Sequence, residues 1–199
     1  MKQRASGNYK KSSILIYVIL FILSFSSLYF IRKEIAVGII YCTILIYLIL
    51  SKDKMNLINF AIATFVSIIW ILIANDEYGY NRKTILIFGY NSFPFFAWAA
   101  GLFASYLFYS AIEKRIKSND ILKKTLLYLA IFWPSLIFSE AVGYHYFGIH
   151  NIQTAEYRGI PILDCIHAPL WMQISYFLLG PIYYTLCELK EYLRKTIRL

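Results

Sequence analysis

Long runs of apolar residues, separated by short polar segments, dominate this chain. Residues 12–31 form 20 consecutive positions without Asp, Glu, Lys or Arg, and residues 84–112 form 29. An α-helix rises about 1.5 Å per residue, so about 20 apolar residues cross the hydrocarbon layer of a membrane. The pattern predicts an all-α integral membrane protein, a bundle of six transmembrane helices at residues 13–31, 35–50, 55–74, 93–112, 124–142 and 168–187.

The composition supports a single membrane domain. Of the 199 residues, 59% are apolar and 16% are charged, and the mean hydropathy is +0.56. Soluble domains are about 45–50% apolar and about 25% charged. Six spans of about 20 residues take up about 120 positions. We therefore expect one polytopic domain over residues 1–199, with no separate soluble domain.

The basic residues predict how the spans are oriented. Lys and Arg exceed Asp and Glu by 20 to 11, and they lie beside the apolar runs, as in a protein whose partner is the bilayer rather than nucleic acid. With six spans, the segments on one side of the membrane hold 15 of them and those on the other side hold 5. The richer side is expected to be cytoplasmic. This predicts a multi-pass protein of the plasma membrane with both termini in the cytoplasm.

The residues with the most versatile chemistry lie on the outer side. All three histidines belong to the connection between the fifth and sixth predicted spans, which runs over about 25 residues, from Gly143 to His167. Simple turns between helices take about two to eight residues, and long connections are often functional. Glu140 lies 16 residues after Lys124, so helix rise places it about 24 Å across the layer, just below the outer interface.

This arrangement predicts an outward-facing polar pocket with general acid–base chemistry. A carboxyl group withdrawn from water can hold a proton near neutrality and deliver it to an apolar substrate. We expect Glu140, Asp164 and His167 to be catalytic, with Asp164 and His167 on one helix face if that segment is helical. Aromatic rings stabilise cations through their faces. The expected substrate-binding residues are Tyr144, His145, His150, Arg158 and Trp171.

Other interpretations of these residues stay open. His145 and His150, with Glu140, Asp164 or His167, could hold zinc or iron, although the spacing matches no known metal motif. We therefore assign no metal ligand and no cofactor. The same side chains could instead serve only structure, pairing with Arg158, Lys83, water and exposed backbone. A non-enzymatic protein, either an accessory subunit of a membrane complex or a small transporter, is the main alternative, and the oligomeric state is not predicted.

The two outer connections resemble each other. Both begin with an acid followed by Gly-Tyr and an amide or imidazole, and both lead through a proline to a Trp-bearing span, with Trp98 in one and Trp171 in the other. This suggests a tandem repeat of two spans in the carboxyl-terminal part. Pro94 can correspond to either Pro161 or Pro169.

The stretch 140–184 resembles the membrane-embedded carotenoid-modifying proteins, namely the lycopene cyclase domain and the carotenoid hydratases. The matching elements are the end of a span at residues 140–143, the Gly-x-Pro segment with a carboxylate at 159–164, and Trp171. The cyclases have two adjacent acids after the proline, whereas this chain has Leu163-Asp164. The resemblance implies protonation of a double bond in an isoprenoid, followed by cyclisation or hydration, with Glu140 and Asp164 as acid and base.

Overall fold

The structure is a computed structural model that describes residues 31–78, 85–116, 120–150 and 156–197. The predicted first span, residues 13–31, lies outside the described residues apart from its last position. A short 3₁₀ turn, Asn75–Glu77, and two two-residue strands, β1 (Leu86–Ile87) and β2 (Tyr90–Asn91), accompany the helices. The described part contains five α-helices: α1 (Lys33–Leu50), α2 (Lys54–Ala74), α3 (Ser92–Ile116), α4 (Ile121–His145) and α5 (Leu170–Ile197).

Four of these helices are long and apolar enough to cross a membrane. They are α1, α2 with the turn that follows it, α3 and α4. This confirms the prediction of a helical membrane protein, and it confirms the second to fifth predicted spans as apolar helices. The fifth helix, α5, has 28 residues but is not among the four, because polar residues such as Gln173 and Ser175 interrupt its apolar sequence.

Polar side chains mark where the helices begin. Asp53 accepts a hydrogen bond from the Asn56 N–H before α2, and Asp120 accepts one from Leu122 N–H before α4. Such caps satisfy backbone donors that have no partner within the helix. The predicted spans end where charges begin, but the helices continue through those charges. For this reason α3 reaches Ile116 rather than residue 112, and α5 reaches Ile197 rather than residue 187.

Helix α3 lies at the centre of the described bundle and packs against α1, α2, α4 and α5. The Phe103 ring of α3 meets Phe60 of α2 with centroids 5.1 Å apart. About two turns further along α2, Ser67 Oγ donates a hydrogen bond to the Phe95 carbonyl of α3 at 2.6 Å. Many large apolar side chains point outward, including Leu72, Ile73 and Phe138. An apolar exterior of this kind suits a lipid environment.

Helices α4 and α5 make their closest approach at Gly180. A methyl group at Gly180 would lie 2.3 Å from the Phe132 ring, so only glycine fits there. The next residue, Pro181, has no N–H and leaves the Phe177 carbonyl, four residues earlier, without its usual helical donor. Trp133 of α4 supplies that donor, with Nε1 at 3.1 Å from the Phe177 oxygen. The Trp133 hydrogen bond thus joins α4 to α5 at the position where Pro181 interrupts the backbone hydrogen bonding of α5.

The bundle has two chemically different ends. One end, the basic end, carries Lys and Arg residues at the ends of α3 and α5, at the starts of α2 and α4 and in the turn between α1 and α2. There Lys190 donates to Asn59, and Lys124 pairs with Glu113 at 2.9 Å. The other end, the loop end, holds residues 85–91 and 146–169. There Lys33 donates to the Phe147 carbonyl. Neighbouring helices along the chain therefore run in opposite directions.

Both connections at the loop end contain a small antiparallel β element. Strand β1 pairs with β2 in the register Leu86 with Asn91, and the second connection contains a single bridge between Ile160 and Cys165. In each case the paired residues are five positions apart, and a helix begins a few residues later. Pro94 lies in the first turn of α3 and Pro169 directly precedes α5, whereas Pro161 lies within the bridged turn. Pro169, like Pro94, thus lies at the start of a helix, whereas Pro161 does not.

Replacing Gly180 with Ala tests the contact between α4 and α5. The added methyl group must displace the Phe132 ring, which we expect to lower the free energy of unfolding by about 1–3 kcal/mol. The matched control is Gly101→Ala in α3, where a methyl group meets nothing within 4 Å. That change should be neutral or stabilise by about 0.5–1 kcal/mol, since Ala favours helix more than Gly. Unfolding midpoints in detergent measure both, and equal effects would contradict the close packing.

Candidate site at the loop end

The segment before α5 is held in an unusual backbone conformation. Leu163, Asp164 and Ile166 have φ values of 59°, 41° and 56°, in the left-handed region that non-glycine residues rarely adopt. Such conformations persist only where the surroundings enforce them. Here the Ile160 N–H donates to the Cys165 carbonyl at 2.8 Å, and the buried Cys165 thiol lies 3.6 Å from the Ile137 carbonyl of α4. The segment is thereby fixed to α4. Asp164 and His167 are three residues apart, as expected for a shared face, but the segment between them is not helical.

The imidazole cluster forms where this segment meets the end of α4. His167 Nε2 lies 3.2 Å from Asp164 Oδ1, and its ring stacks on Tyr144 with centroids 4.2 Å apart. The His150 ring meets the Tyr144 ring at 4.4 Å, nearly perpendicular. His145 Nε2 lies 2.9 Å from the Leu163 carbonyl and 3.1 Å from that of Asp164. The imidazole cluster consists of Tyr144, His145, His150, Asp164 and His167.

Gly159 makes room for the pair at the centre of this cluster. A methyl group there would lie 2.8 Å from Asp164 Oδ1 and 2.9 Å from the His167 ring. The Asp164 carboxylate is largely exposed, whereas the His167 ring is largely buried. His167 Nδ1 is buried and has no hydrogen-bond partner among the residues that the structure describes. The pair therefore presents one open carboxylate and one enclosed imidazole nitrogen.

Glu140 lies on the same face of α4 as Tyr144, one helical turn earlier. Its side chain is half-buried, and within the described ranges it has no hydrogen-bond or ion-pair partner. Burial, together with smaller effects from the charges of Glu140 and Asp164, raises the pKa of the Cys165 thiol to about 11. Both carboxyl groups thus lie within electrostatic range of one sulfur atom. The structure brings Glu140 and Asp164 to the same region, although they do not contact each other.

Two of the predicted substrate-binding residues lie apart from the imidazole cluster. Arg158 is exposed, and it interacts through its backbone carbonyl, which accepts a hydrogen bond from Gln173 Nε2 at 2.9 Å. Trp171 contacts Trp70 of α2, with ring centroids 6.0 Å apart. Proximity in the sequence placed Trp171 beside the histidines. The start of α5 instead turns this side chain towards α2.

Trp171 borders a second set of residues, the aromatic cluster, which the sequence did not reveal. It consists of Trp70, Tyr78, Trp98 and Tyr176. The Tyr78 hydroxyl oxygen accepts hydrogen bonds from Trp70 Nε1 at 2.8 Å and Trp98 Nε1 at 3.1 Å, and it lies 2.8 Å from the Tyr176 hydroxyl. Indole N–H groups only donate, and a phenol oxygen has two lone pairs. Tyr78 must therefore donate its own proton to Tyr176.

Glu140 is the group that links the two clusters. Its charge contributes to the raised pKa of Tyr78, after the larger effect of burial, as it does for Cys165. The buried rings of the aromatic cluster pack on one another, with Trp98 and Tyr176 centroids 4.8 Å apart. The Asp164–His167 pair, next to Cys165 in the chain, could accept a proton. This arrangement supplies the groups that acid–base chemistry requires.

The metal interpretation finds little support in this geometry. Within the described ranges, no three His, Cys, Asp or Glu side chains converge in a way that could hold a metal ion. His145 bonds to backbone carbonyls, and His150 packs edge-on against Tyr144. These histidines are therefore engaged with protein atoms rather than arranged around a common point.

Comparison with known proteins identifies no relative of this chain. No protein-family model, no curated protein and no solved structure matches this chain. The functional argument therefore rests on the residues of the loop end.

Changing Tyr78 to Phe tests the aromatic cluster. Loss of the hydroxyl leaves two buried indole N–H groups without an acceptor, so we expect the free energy of unfolding to fall by about 1–3 kcal/mol. Tyr192→Phe is the control, because the Tyr192 ring is exposed and its hydroxyl makes no described hydrogen bond. Unfolding followed by tryptophan fluorescence measures both variants. An unchanged midpoint for Tyr78→Phe would show that this hydroxyl does not stabilise the cluster.

Proposed function

We propose that this chain is a membrane-embedded enzyme that modifies an isoprenoid, such as a carotenoid, or another long-chain lipid by general acid–base chemistry at the loop end. The observation that carries the proposal is the position of Glu140. It is a half-buried carboxyl group without a described partner, within electrostatic range of Tyr78 in the aromatic cluster and of Cys165, the residue next to Asp164. A group of this kind in an otherwise apolar helix suggests function more than stability.

The reaction is a redox-neutral proton transfer. The Glu140 carboxyl group gives its proton to a carbon–carbon double bond, and the positive charge that results lies near aromatic rings. The cation then loses a proton to the Asp164–His167 pair, which gives a cyclised or isomerised product, or it adds water, which loses a proton to the same pair and gives a hydrated product. The pair afterwards releases its proton to water. The resemblance of residues 140–184 to the carotenoid-modifying proteins favours this class of substrate. Water re-protonates Glu140 between turnovers.

Six spans and an outward-facing loop end complete the proposal. The exposed face of α5 carries an apolar stripe of Leu170, Ile174, Leu178 and Ile182, which suits contact with lipid. Residues 13–31 supply another apolar run of sufficient length. With these two, the basic end faces the cytoplasm, together with both termini, in the plasma membrane. The matching β elements support a tandem repeat of two spans at the loop end.

Cysteine labelling tests this orientation. In a background with Cys42→Ser, we expect Glu156→Cys at the loop end to react with a membrane-impermeant maleimide on intact cells. Lys123→Cys at the basic end should react only after the cells are permeabilised. Glu156 and Lys123 are both exposed in the structure, so side-chain burial does not limit either reaction. The reverse labelling pattern would contradict a cytoplasmic basic end.

The function is tested by Glu140→Gln, which removes the proton but keeps the size of the side chain. We expect product formation to fall by about 10²–10⁴-fold, the usual contribution of a general acid. The measurement is the lipid extract of host cells that express the chain, analysed by mass spectrometry. Glu156→Gln is the matched control, since this glutamate is exposed at the same end and should leave the extract unchanged.

The same experiment separates the enzyme from the non-enzymatic alternatives. Abundance and unfolding midpoint are measured in parallel, so that a misfolded variant is recognised. An extract that is identical with and without the intact chain contradicts an enzyme. If a fixed protein partner also co-purifies, an accessory subunit is favoured over a small transporter.

A further inference from the structure

A cavity of about 410 Å³ opens at the basic end, far along the helices from Glu140. Its volume lies within the range of small-molecule sites, about 300–1,000 Å³. The wall combines charged residues of both signs with amides and tyrosines from α2, α3, α4 and α5. Six lining residues matter here: Tyr106, Tyr109, Glu113, Lys114, Glu188 and Arg194.

Most of the charges around this cavity are already paired. Glu113 pairs with Lys124 at 2.9 Å, and Glu191 pairs with Arg194 at 3.0 Å and with Lys190 at 2.9 Å. These contacts neutralise the charges within the wall. They leave little free charge for a ligand that carries only one sign.

Two lining residues of opposite charge stand outside these pairs. Lys114, in the last turn of α3, is exposed and has no ion-pair partner among the described residues. Glu188 of α5 is half-buried, and its closest described donor is the Tyr106 hydroxyl at 3.5 Å, the limit of a hydrogen bond. Burial raises the pKa of Glu188, and the nearby Lys124 charge opposes this effect. Among the lining residues that the structure describes, Lys114 and Glu188 are thus the cation and the anion without an ion-pair partner.

The tyrosines beside Glu188 offer hydroxyl groups rather than open ring faces. Tyr109 meets Tyr128 and Tyr184 with centroids 5.7 Å and 5.3 Å apart, and Tyr106 meets Tyr183 at 5.8 Å. Because these rings pack on one another, they do not form a cage around a quaternary ammonium group. A primary ammonium group suits the wall better, since its three N–H donors can bond to a carboxylate and to hydroxyl oxygens.

We propose that the basic-end cavity binds the phosphoethanolamine headgroup of a membrane lipid, with the ammonium group at Glu188 and Tyr106 and the phosphate at Lys114. A zwitterion matches the two unpaired charges, whereas a ligand of one sign leaves one of them uncompensated. The source is a lipid because the cavity lies where α3 and α5 pass from apolar to basic sequence, the level of lipid phosphates. This site is separate from the loop end, and it stands or falls independently of the proposed enzyme.

The test uses the full chain, purified in detergent, with its unfolding midpoint measured against added lipid. A ligand that binds only the folded protein raises the midpoint. We expect phosphatidylethanolamine to raise it at concentrations about tenfold lower than phosphatidylcholine or phosphatidylglycerol. Soluble phosphoethanolamine is a further probe. If it acts as strongly as the lipid, the zwitterion site is supported and its ligand comes from water instead of the membrane.

Two variants assign the roles of the charges. Glu188→Gln should weaken the effect of phosphatidylethanolamine about tenfold and bring it level with phosphatidylcholine, since the ammonium group loses its counter-charge. Lys114→Gln, at an exposed position that should not affect folding, should weaken all three phospholipids. Glu156→Gln, at an exposed position of the loop end, is the control and should change none of these shifts.

Three results would overturn the proposal. The first is equal stabilisation by all three phospholipids, and the second is a preference for phosphatidylglycerol, which would indicate a simple anion site. The third is a full phosphatidylethanolamine effect in folded Glu188→Gln and Lys114→Gln.

Discussion

Helices surrounded by apolar groups must satisfy their polar atoms within the protein, because lipid offers no hydrogen bonds. Much of this structure follows from that constraint. Where Pro181 interrupts α5, the Phe177 carbonyl receives the Trp133 indole N–H, so α4 and α5 must lie side by side at that level. The glycine at position 180 allows this approach. The Tyr78 hydroxyl likewise accepts hydrogen bonds from two buried indole N–H groups and contacts the Tyr176 hydroxyl. It thereby links α2, α3 and α5 at the loop end.

The sequence predicts the helices well because each depends on local composition. Charge-free runs locate α1 to α4, and the basic flanks indicate which helix ends lie together. It does not predict the aromatic cluster, because residues 70, 78, 98 and 176 meet only after the helices pack. The same limit explains Trp171, which is next to the histidines in the chain and packs against α2 in space. The meeting of Asp164, His167 and Tyr144 was predictable in outline, since one long connection contains most of its members.

The two ends of the bundle use polar residues in different ways. At the loop end, the Glu140 carboxyl group has no ion-pair partner among the described residues and lies within electrostatic range of Tyr78 and Cys165. At the basic end, acids and bases alternate around a cavity and largely neutralise one another. The apolar middle of the helices separates the two sets by most of the membrane thickness. The proposed chemistry at the loop end and the proposed lipid site at the basic end therefore use separate sets of residues in a chain of 199.

The backbone conformation of residues 163–166 is determined by contacts with the rest of the fold rather than by the preferences of these residues. Three side-chain-bearing residues there adopt left-handed dihedral angles that their own preferences oppose, and Ile166 is β-branched, the least tolerant kind. The conformation of this segment is therefore imposed by its surroundings, through the Cys165 thiol beside the Ile137 carbonyl of α4 and the Ile160–Cys165 backbone hydrogen bond. A peptide of this segment, or a graft of it onto a foreign scaffold, would relax and separate Asp164 from His167. Designs that borrow this pair must transplant α4 along with it.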